Sequence, residues 1–246
     1  MSPKLSTTSA LNYAVSQLAT RGGAILVAAY AAYQIATQVV IQSLFVGVLG
    51  SSLDAAQLSQ AYPLAVGLPT TVSAVLTVAV VLAGTALGVV AMRALYEDID
   101  AVPTADHTRR LVRTVGVLFV VSVIVFVATT IGFVFLVLPG LFLAVSLVFA
   151  ALVVAVEDAG IGESLKRSWE LASGNRLRLF LLGVVVVIGS GLAGVVGTLF
   201  GGVGPLVSAL LTSVVSGLVS LFSVAVLVGA YRQLAGEDGV ETSVAA

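Results

Sequence analysis

The chain has 246 residues, of which 59% are apolar and 9% charged, with a net charge of −1 and a mean hydropathy of +1.15. About a quarter of the residues of a soluble domain are charged, so this composition excludes an ordinary soluble domain. Eleven basic residues interleaved with twelve acidic ones also exclude a nucleic-acid-binding surface. With no cysteine and one histidine, His107, the chain offers no zinc site of the usual ligand count, and we expect no cofactor.

The chain begins with a predicted surface helix. Within residues 1–21, Leu11, Ala14, Val15 and Leu18 recur at the spacing of one helix face. A short amphipathic segment of this kind is typical of a helix that lies on a membrane surface.

Four long stretches without charge follow, at residues 22–53, 55–92, 114–156 and 179–231. A transmembrane helix needs roughly 20 apolar residues, so the first two stretches hold one span each and the longer two hold two each. The sequence therefore predicts an all-α integral membrane protein, a single domain over residues 1–246 with six transmembrane helices. The predicted spans are 24–49, 69–95, 111–135, 141–156, 177–199 and 206–232.

Two connections have recognisable signals. Pro139 and Gly140 interrupt the third stretch, and this pair predicts a tight outer turn between the third and fourth spans. Residues 160–173 predict a second surface helix, because Ile161, Leu165 and Trp169 share one face.

The basic residues predict the orientation. All eleven fall on one side of the six-span layout: Lys4, Arg21, Arg93, Arg109, Arg110, Arg113, Lys166, Arg167, Arg176, Arg178 and Arg232. Cationic connections are retained on the cytoplasmic face. We therefore predict that both termini and both surface helices lie on the cytoplasmic side.

The first span carries a polar stripe. Tyr30, Gln34, Gln38 and Gln42 lie four residues apart, so they wind slowly around one side of the helix. The stripe could line a hydrated or headgroup-binding cavity. The alternative, which we favour, is hydrogen bonding between helices, because amides in hydrocarbon need partners.

Small residues recur at intervals of four in three other spans, an arrangement that lets helix backbones approach closely. They are Gly84 and Gly88 in the second span, Gly189, Ala193 and Gly197 in the fifth, and Ser208, Thr212 and Ser216 in the sixth. We interpret them as helix-packing positions.

The second surface helix carries the candidate contacts to lipid headgroups. These are Lys166, Arg167, Trp169, Arg176 and Arg178. Four carboxylates lie nearby: Glu157, Asp158, Glu163 and Glu170. They could form a metal or headgroup site. The alternative, which we favour, is that they neutralise Lys166, Arg167 and Arg176 on a solvated face.

Around the predicted outer turn, the sequence has the pattern Leu138-Pro139-Gly140, an apolar span, Val156-Glu157-Asp158 and then residues 162–169 (GESLKRSW) with Gly174-Asn175. Residues 136–182 resemble the membrane domain attached to some glycerophosphoryl diester phosphodiesterases and found alone in six-span bacterial and archaeal proteins. The resemblance implies a helical plasma-membrane protein. It does not imply hydrolase activity, because in the fused proteins a separate soluble barrel carries the catalytic acids and histidines.

Three functions remain open from the sequence. The first, which we favour, is a non-enzymatic protein that organises lipid or partner proteins by self-association, since no catalytic motif is present. The second is a facilitator or channel for a small polar or amphipathic solute, although no ionisable group is predicted in the hydrocarbon core. The third is a lipid-modifying membrane enzyme. The expected partners are membrane lipid, further copies of the chain and a protein partner of unknown identity, but no nucleic acid.

Overall fold

The computed structural model describes residues 5–50, 52, 54–97 and 108–236. Within this part of the chain, the regular structure is helical throughout, with ten α-helices and no β-strand. The helices are α1 (Thr7–Leu18), α2 (Arg21–Leu49), α3 (Ala55–Ala61), α4 (Thr70–Tyr96), α5 (Leu111–Phe135), α6 (Val137–Ser146), α7 (Ala150–Glu157), α8 (Ile161–Ala172), α9 (Arg176–Leu199) and α10 (Pro205–Ala235). His107 and Lys4 lie outside the described residues.

The long helices confirm that this is a helical protein with several candidate membrane spans. By length and composition five segments can cross a bilayer: α2, α4, α5, α6 with α7, and α10. A sixth crossing is reached if α8 and the part of α9 up to Gly191, which meet at a bend of 99°, count as one broken span. All-helical spans are the expected solution in lipid because a helix satisfies its own backbone hydrogen bonds.

The chain divides into two compact units. Unit 1 comprises Met1–Ala24, Gly88–Val185 and Phe222–Ala246, and unit 2 comprises Ile25–Leu87 and Val186–Leu221. The sequence of unit 1 contains all eleven basic residues, whereas that of unit 2 contains none and a single acid, Asp54. Charge is therefore segregated into one unit.

The core of unit 1 is apolar and closely packed. Its centre is formed by side chains of α4, α5 and α7, all with less than 5% of their surface exposed: Val89, Leu118, Val121, Ala150, Val154 and Ala155. Small alanines alternate with branched residues here, which allows helices to approach one another without voids.

The chain reverses between α5 and α6 at Leu136, not at the predicted Pro139 and Gly140. Pro139 is the third residue of α6. Backbone N–H groups in the first turn of a helix have no acceptor within the helix, so a proline, which lacks this N–H, is tolerated there. The first intrahelical bond of α6 comes from the next residue, Gly140, whose N–H donates to the Leu136 carbonyl. A Cβ on Gly132 of α5 would lie 2.7 Å from the Gly140 Cα, so both glycines are needed for this close hairpin.

Helix α1 packs on the rest of unit 1 through small residues. Ala10 and Ala14 are fully buried, while Val15, on the predicted membrane face, is 60% exposed. The Tyr13 hydroxyl donates to the Leu95 carbonyl, and its ring lies where a Cβ on Gly229 of α10 would be. The predicted membrane face is therefore only partly free, because Ala14 is buried against protein, Leu11 and Leu18 are half-buried, and Val15 is exposed.

Candidate functional site

A buried ion pair joins α4 to the end of α7. The Arg93 side chain is 6% exposed, and its Nη2 lies 2.8 Å from Asp158 Oδ1. Asp158 follows α7 directly and adopts the left-handed conformation with φ of 53°. Arg93 also donates to the carbonyls of Ala155 and Arg109, at 2.6 Å each, and to the Thr114 hydroxyl at 3.2 Å. One guanidinium thus connects α4, α5 and α7.

The neighbouring carboxylate, Glu157, connects two further helices. It accepts a hydrogen bond from the Tyr231 hydroxyl of α10 and lies 3.7 Å from the Arg167 Nε of α8. The Tyr231 ring packs between Tyr96 and Phe149, with centroid distances of 6.0 and 5.8 Å. Glu157 and Asp158 together therefore tie the ends of α4, α7, α8 and α10 to one another.

The remaining two candidate carboxylates are also engaged. Glu170 lies 4.0 Å from the Lys166 ammonium, and Glu163 accepts from the Gly160 N–H at 3.5 Å. All four carboxylates thus have protein partners, which favours the interpretation that they neutralise cations and cap a helix.

The segment predicted as one continuous fourth span is broken at residues 147–149, between α6 and α7. The Ser168 hydroxyl of α8 replaces hydrogen bonds lost at the break. It donates to the Ser146 carbonyl at 3.0 Å and accepts from the Phe149 N–H at 3.1 Å. Ser168 is fully buried. Backbone groups freed inside an apolar region need such partners.

Arg176, the first residue of α9, lies beside this break. Its Nε donates to the Ser146 hydroxyl at 3.0 Å. Its guanidinium carbon lies 4.5 Å from the Phe142 ring centroid and 4.8 Å from that of Trp169. The two rings meet edge to face at 5.4 Å. Phe142 and Trp169 therefore hold the planar guanidinium in place by cation–π contacts.

Arg176 stands at an open apolar groove, which we call the α6–α9 groove. It has a volume of about 670 Å³. Apart from Arg176, its lining is apolar: Leu138, Pro139, Leu141, Phe142, Val145, Leu177 and Phe180. The structure thus places one cation on a surface otherwise suited to hydrocarbon.

The other predicted headgroup contacts are not brought to this groove. Arg167 pairs with Glu157, and Lys166 lies beside Glu170. Arg178 donates to the Leu5 carbonyl at 2.8 Å and so holds the start of the described chain. Of the five predicted residues, Trp169 and Arg176 are the two that meet at the groove.

The polar stripe of α2 lies in unit 2, where its glutamines have hydrogen-bond partners. Gln34 Nε2 lies 3.5 Å from the Ser220 hydroxyl of α10, and Gln42 donates to Gln38 Oε1 at 3.3 Å. The Gln42 side-chain oxygen also accepts from the Leu64 N–H at 2.8 Å, which ties the segment after α3 back to α2. Tyr30, the fourth member, is 8% exposed.

Some of the predicted small-residue positions make close helix contacts. A Cβ on Gly84 of α4 would overlap the Tyr33 hydroxyl of α2. On α9, a Cβ on Gly197 would lie 3.0 Å from the Thr212 hydroxyl, and the Ser208 hydroxyl donates to the Gly197 carbonyl at 2.8 Å.

Gly189 does not make such a contact within unit 2, because a Cβ there would have no neighbour within 4 Å among the described residues. Gly88, in unit 1, and Ser216, in unit 2, are half-buried. The Ala193 side chain lies outside the described part. The closest glycine contact between α2 and α10 is one that the spacing did not identify: a Cβ on Gly217 would lie 2.7 Å from the Ala31 backbone.

Comparison with known proteins gives one family. The model of the family described as a domain of unknown function, DUF7847, matches residues 5–234. The searches of curated proteins and of solved structures returned no match.

Proposed function

The chain belongs to the DUF7847 family, and we propose that it is a non-enzymatic membrane protein that organises lipid around itself, in part by self-association. The observation that carries this proposal is the α6–α9 groove, an apolar surface with a guanidinium at one end. Such a surface is suited to lipid, because an acyl chain can occupy the apolar part while a headgroup meets the cation.

The alternatives have less support. Gln34 bonds to Ser220 of α10, and Gln42 bonds to Gln38 and to the Leu64 N–H, so the stripe has protein partners. These bonds support a structural role over the lining of a channel. Glu157 and Asp158 are held by Arg167 and Arg93, so they are poorly placed to serve as acid or base in a lipid-modifying enzyme.

Lipid retention tests the proposal directly. The wild-type protein, extracted in mild detergent and analysed by native mass spectrometry, is expected to carry phospholipid and to occur as more than one copy. A lipid-free monomer would contradict the proposal. Self-association remains a prediction, to which the glycines of α9 that have open space beside them, such as Gly189 and Gly191, lend support.

We further propose that unit 1 carries the cytoplasmic ends of the spans, in the plasma membrane, with both termini inside the cell. All eleven basic residues lie in its sequence, and the anionic cytoplasmic leaflet attracts such residues. The docked helix α1 and the strongly amphipathic α8 would then lie at the inner surface.

Single cysteines can test this orientation, because the natural chain has none. Ser59→Cys, exposed on α3 in unit 2, is expected to react with a membrane-impermeant maleimide on intact cells. Glu163→Cys, exposed on α8 in unit 1, is expected to react only after the cells are opened. The reverse pattern would show that the orientation is wrong, and the unmodified cysteine-free chain is the background control.

A further inference from the structure

We propose that Arg176 and the α6–α9 groove form a specific site for one anionic phospholipid, with the headgroup phosphate at Arg176 and an acyl chain along the groove. The inference rests on the proposed lipid-organising function and deepens it by naming the ligand and the residues that select it.

The headgroup end is a prepared guanidinium. The Arg176 Nε donates to the Ser146 hydroxyl, and the guanidinium makes cation–π contacts with the rings of Phe142 and Trp169. Across the described residues, its two terminal nitrogens donate to no protein group and its side chain meets no carboxylate. A guanidinium presents such a pair of N–H groups in the geometry that a phosphate accepts with two parallel hydrogen bonds. The two terminal nitrogens are therefore available to donate to an anion.

The part of the groove that would hold the acyl chain is comparable in length to the depth of one leaflet. From Val145 to Leu138, α6 rises roughly 10 Å at about 1.5 Å per residue. One leaflet of the hydrocarbon core is about 15 Å deep. The groove volume of about 670 Å³ lies within the range of small-molecule sites, roughly 300–1,000 Å³. Leu138 and Leu177 at its rim are 76% and 72% exposed, which fits cover by hydrocarbon.

Charge complementarity selects an anionic lipid over a zwitterionic one. Among the described residues, no carboxylate pairs with this guanidinium. A headgroup with net negative charge therefore gains an attraction that a zwitterion partly cancels with its own cation. With unit 1 at the cytoplasmic leaflet, as proposed above, Arg176 would meet the leaflet that is rich in anionic lipid.

Trp169, the one tryptophan of the chain, provides the readout. The full-length protein is reconstituted in phosphatidylcholine vesicles that contain increasing fractions of phosphatidylglycerol with brominated chains, which quench tryptophan fluorescence on contact. We expect quenching above the bulk mole fraction, corresponding to about a tenfold preference for phosphatidylglycerol, the size of one charge-assisted contact. Arg176→Gln is expected to bring the ratio close to one.

The matched control is Lys166→Gln, which removes an exposed cation of the neighbouring helix and should leave the preference unchanged. Equal preference in the wild type and in Arg176→Gln would overturn the site, as would an equal loss in Lys166→Gln. Competition by inorganic phosphate that abolishes the preference would show that the site takes a free anion instead of a lipid.

A second variant tests the site even if Arg176→Gln does not fold. Val145→Phe fills the groove from α6 without changing any charge, and it should reduce quenching by brominated chains of either lipid. Unchanged quenching would overturn the placement of the chain. If the wild type retains phospholipid by native mass spectrometry but these variants behave like it, the site alone fails; if the wild type retains none, the proposed function fails with it.

Discussion

Replacement of Arg93 by methionine is expected to destabilise the folded protein by about 3–5 kcal/mol, the usual cost of removing one partner from a buried ion pair. Methionine fills a similar volume but leaves Asp158 without its closest cation, and it leaves the Ala155 and Arg109 carbonyls without their donor. Unfolding titrations in mixed detergent and dodecyl sulfate micelles would measure the change in the free energy of unfolding.

Arg109→Gln is the matched control for this prediction. The Arg109 side chain also lies near Asp158, at 3.3 Å, but it is 65% exposed. Exposed ion pairs contribute about 0–1 kcal/mol, so the control should lose little stability. Comparable losses in the two variants would show that Asp158 does not depend on Arg93 in particular.

The spans could be predicted from the sequence because their signal is local. Runs of twenty or more uncharged apolar residues between charged connections need no knowledge of neighbours, and the long helices α2, α4, α5 and α10 lie where those runs are. The helix after the fourth span could likewise be predicted, since its apolar and charged residues recur at helical spacing. The described α8 begins at Ile161 and ends at Ala172, close to the predicted 160–173.

The break in the fourth span could not be predicted in this way. Nothing in an unbroken apolar run indicates where backbone hydrogen bonds are interrupted, because the compensating group, Ser168, belongs to another helix. The position of Arg176 depends on the same contact, through the Ser146 hydroxyl. The sequence identified Arg176 and Trp169 as headgroup contacts, but only the folded chain brings Phe142 to them.

The carboxylates show a related limit. The sequence suggested that Glu157 and Asp158 neutralise nearby bases, and it named Lys166, Arg167 and Arg176 as their partners. In the structure, Asp158 pairs with Arg93, which is 65 residues away, and Glu157 also accepts a hydrogen bond from the Tyr231 hydroxyl. Partners so distant in sequence are determined by tertiary packing, which one amino-acid sequence read by itself does not reveal.

Glycine spacing predicted a packing seam on α9, but it did not identify Gly217 of α10, which closely approaches the α2 backbone. An alanine substitution should therefore have opposite effects at Gly217 and at Gly189. Gly217→Ala is expected to destabilise the protein by about 1–3 kcal/mol, as overpacking does. The new Cβ would lie 2.7 Å from the backbone N and Cα of Ala31, so α2 or α10 would have to move.

Gly189→Ala is the matched change at a predicted seam position. Its Cβ would meet no described atom within 4 Å, so helix propensity alone should act and stabilise the protein by up to about 1 kcal/mol. The same unfolding titration measures both variants. If Gly189→Ala were the more damaging of the two, α9 would have to pack through Gly189 against a surface outside this chain, which is the contact that self-association requires.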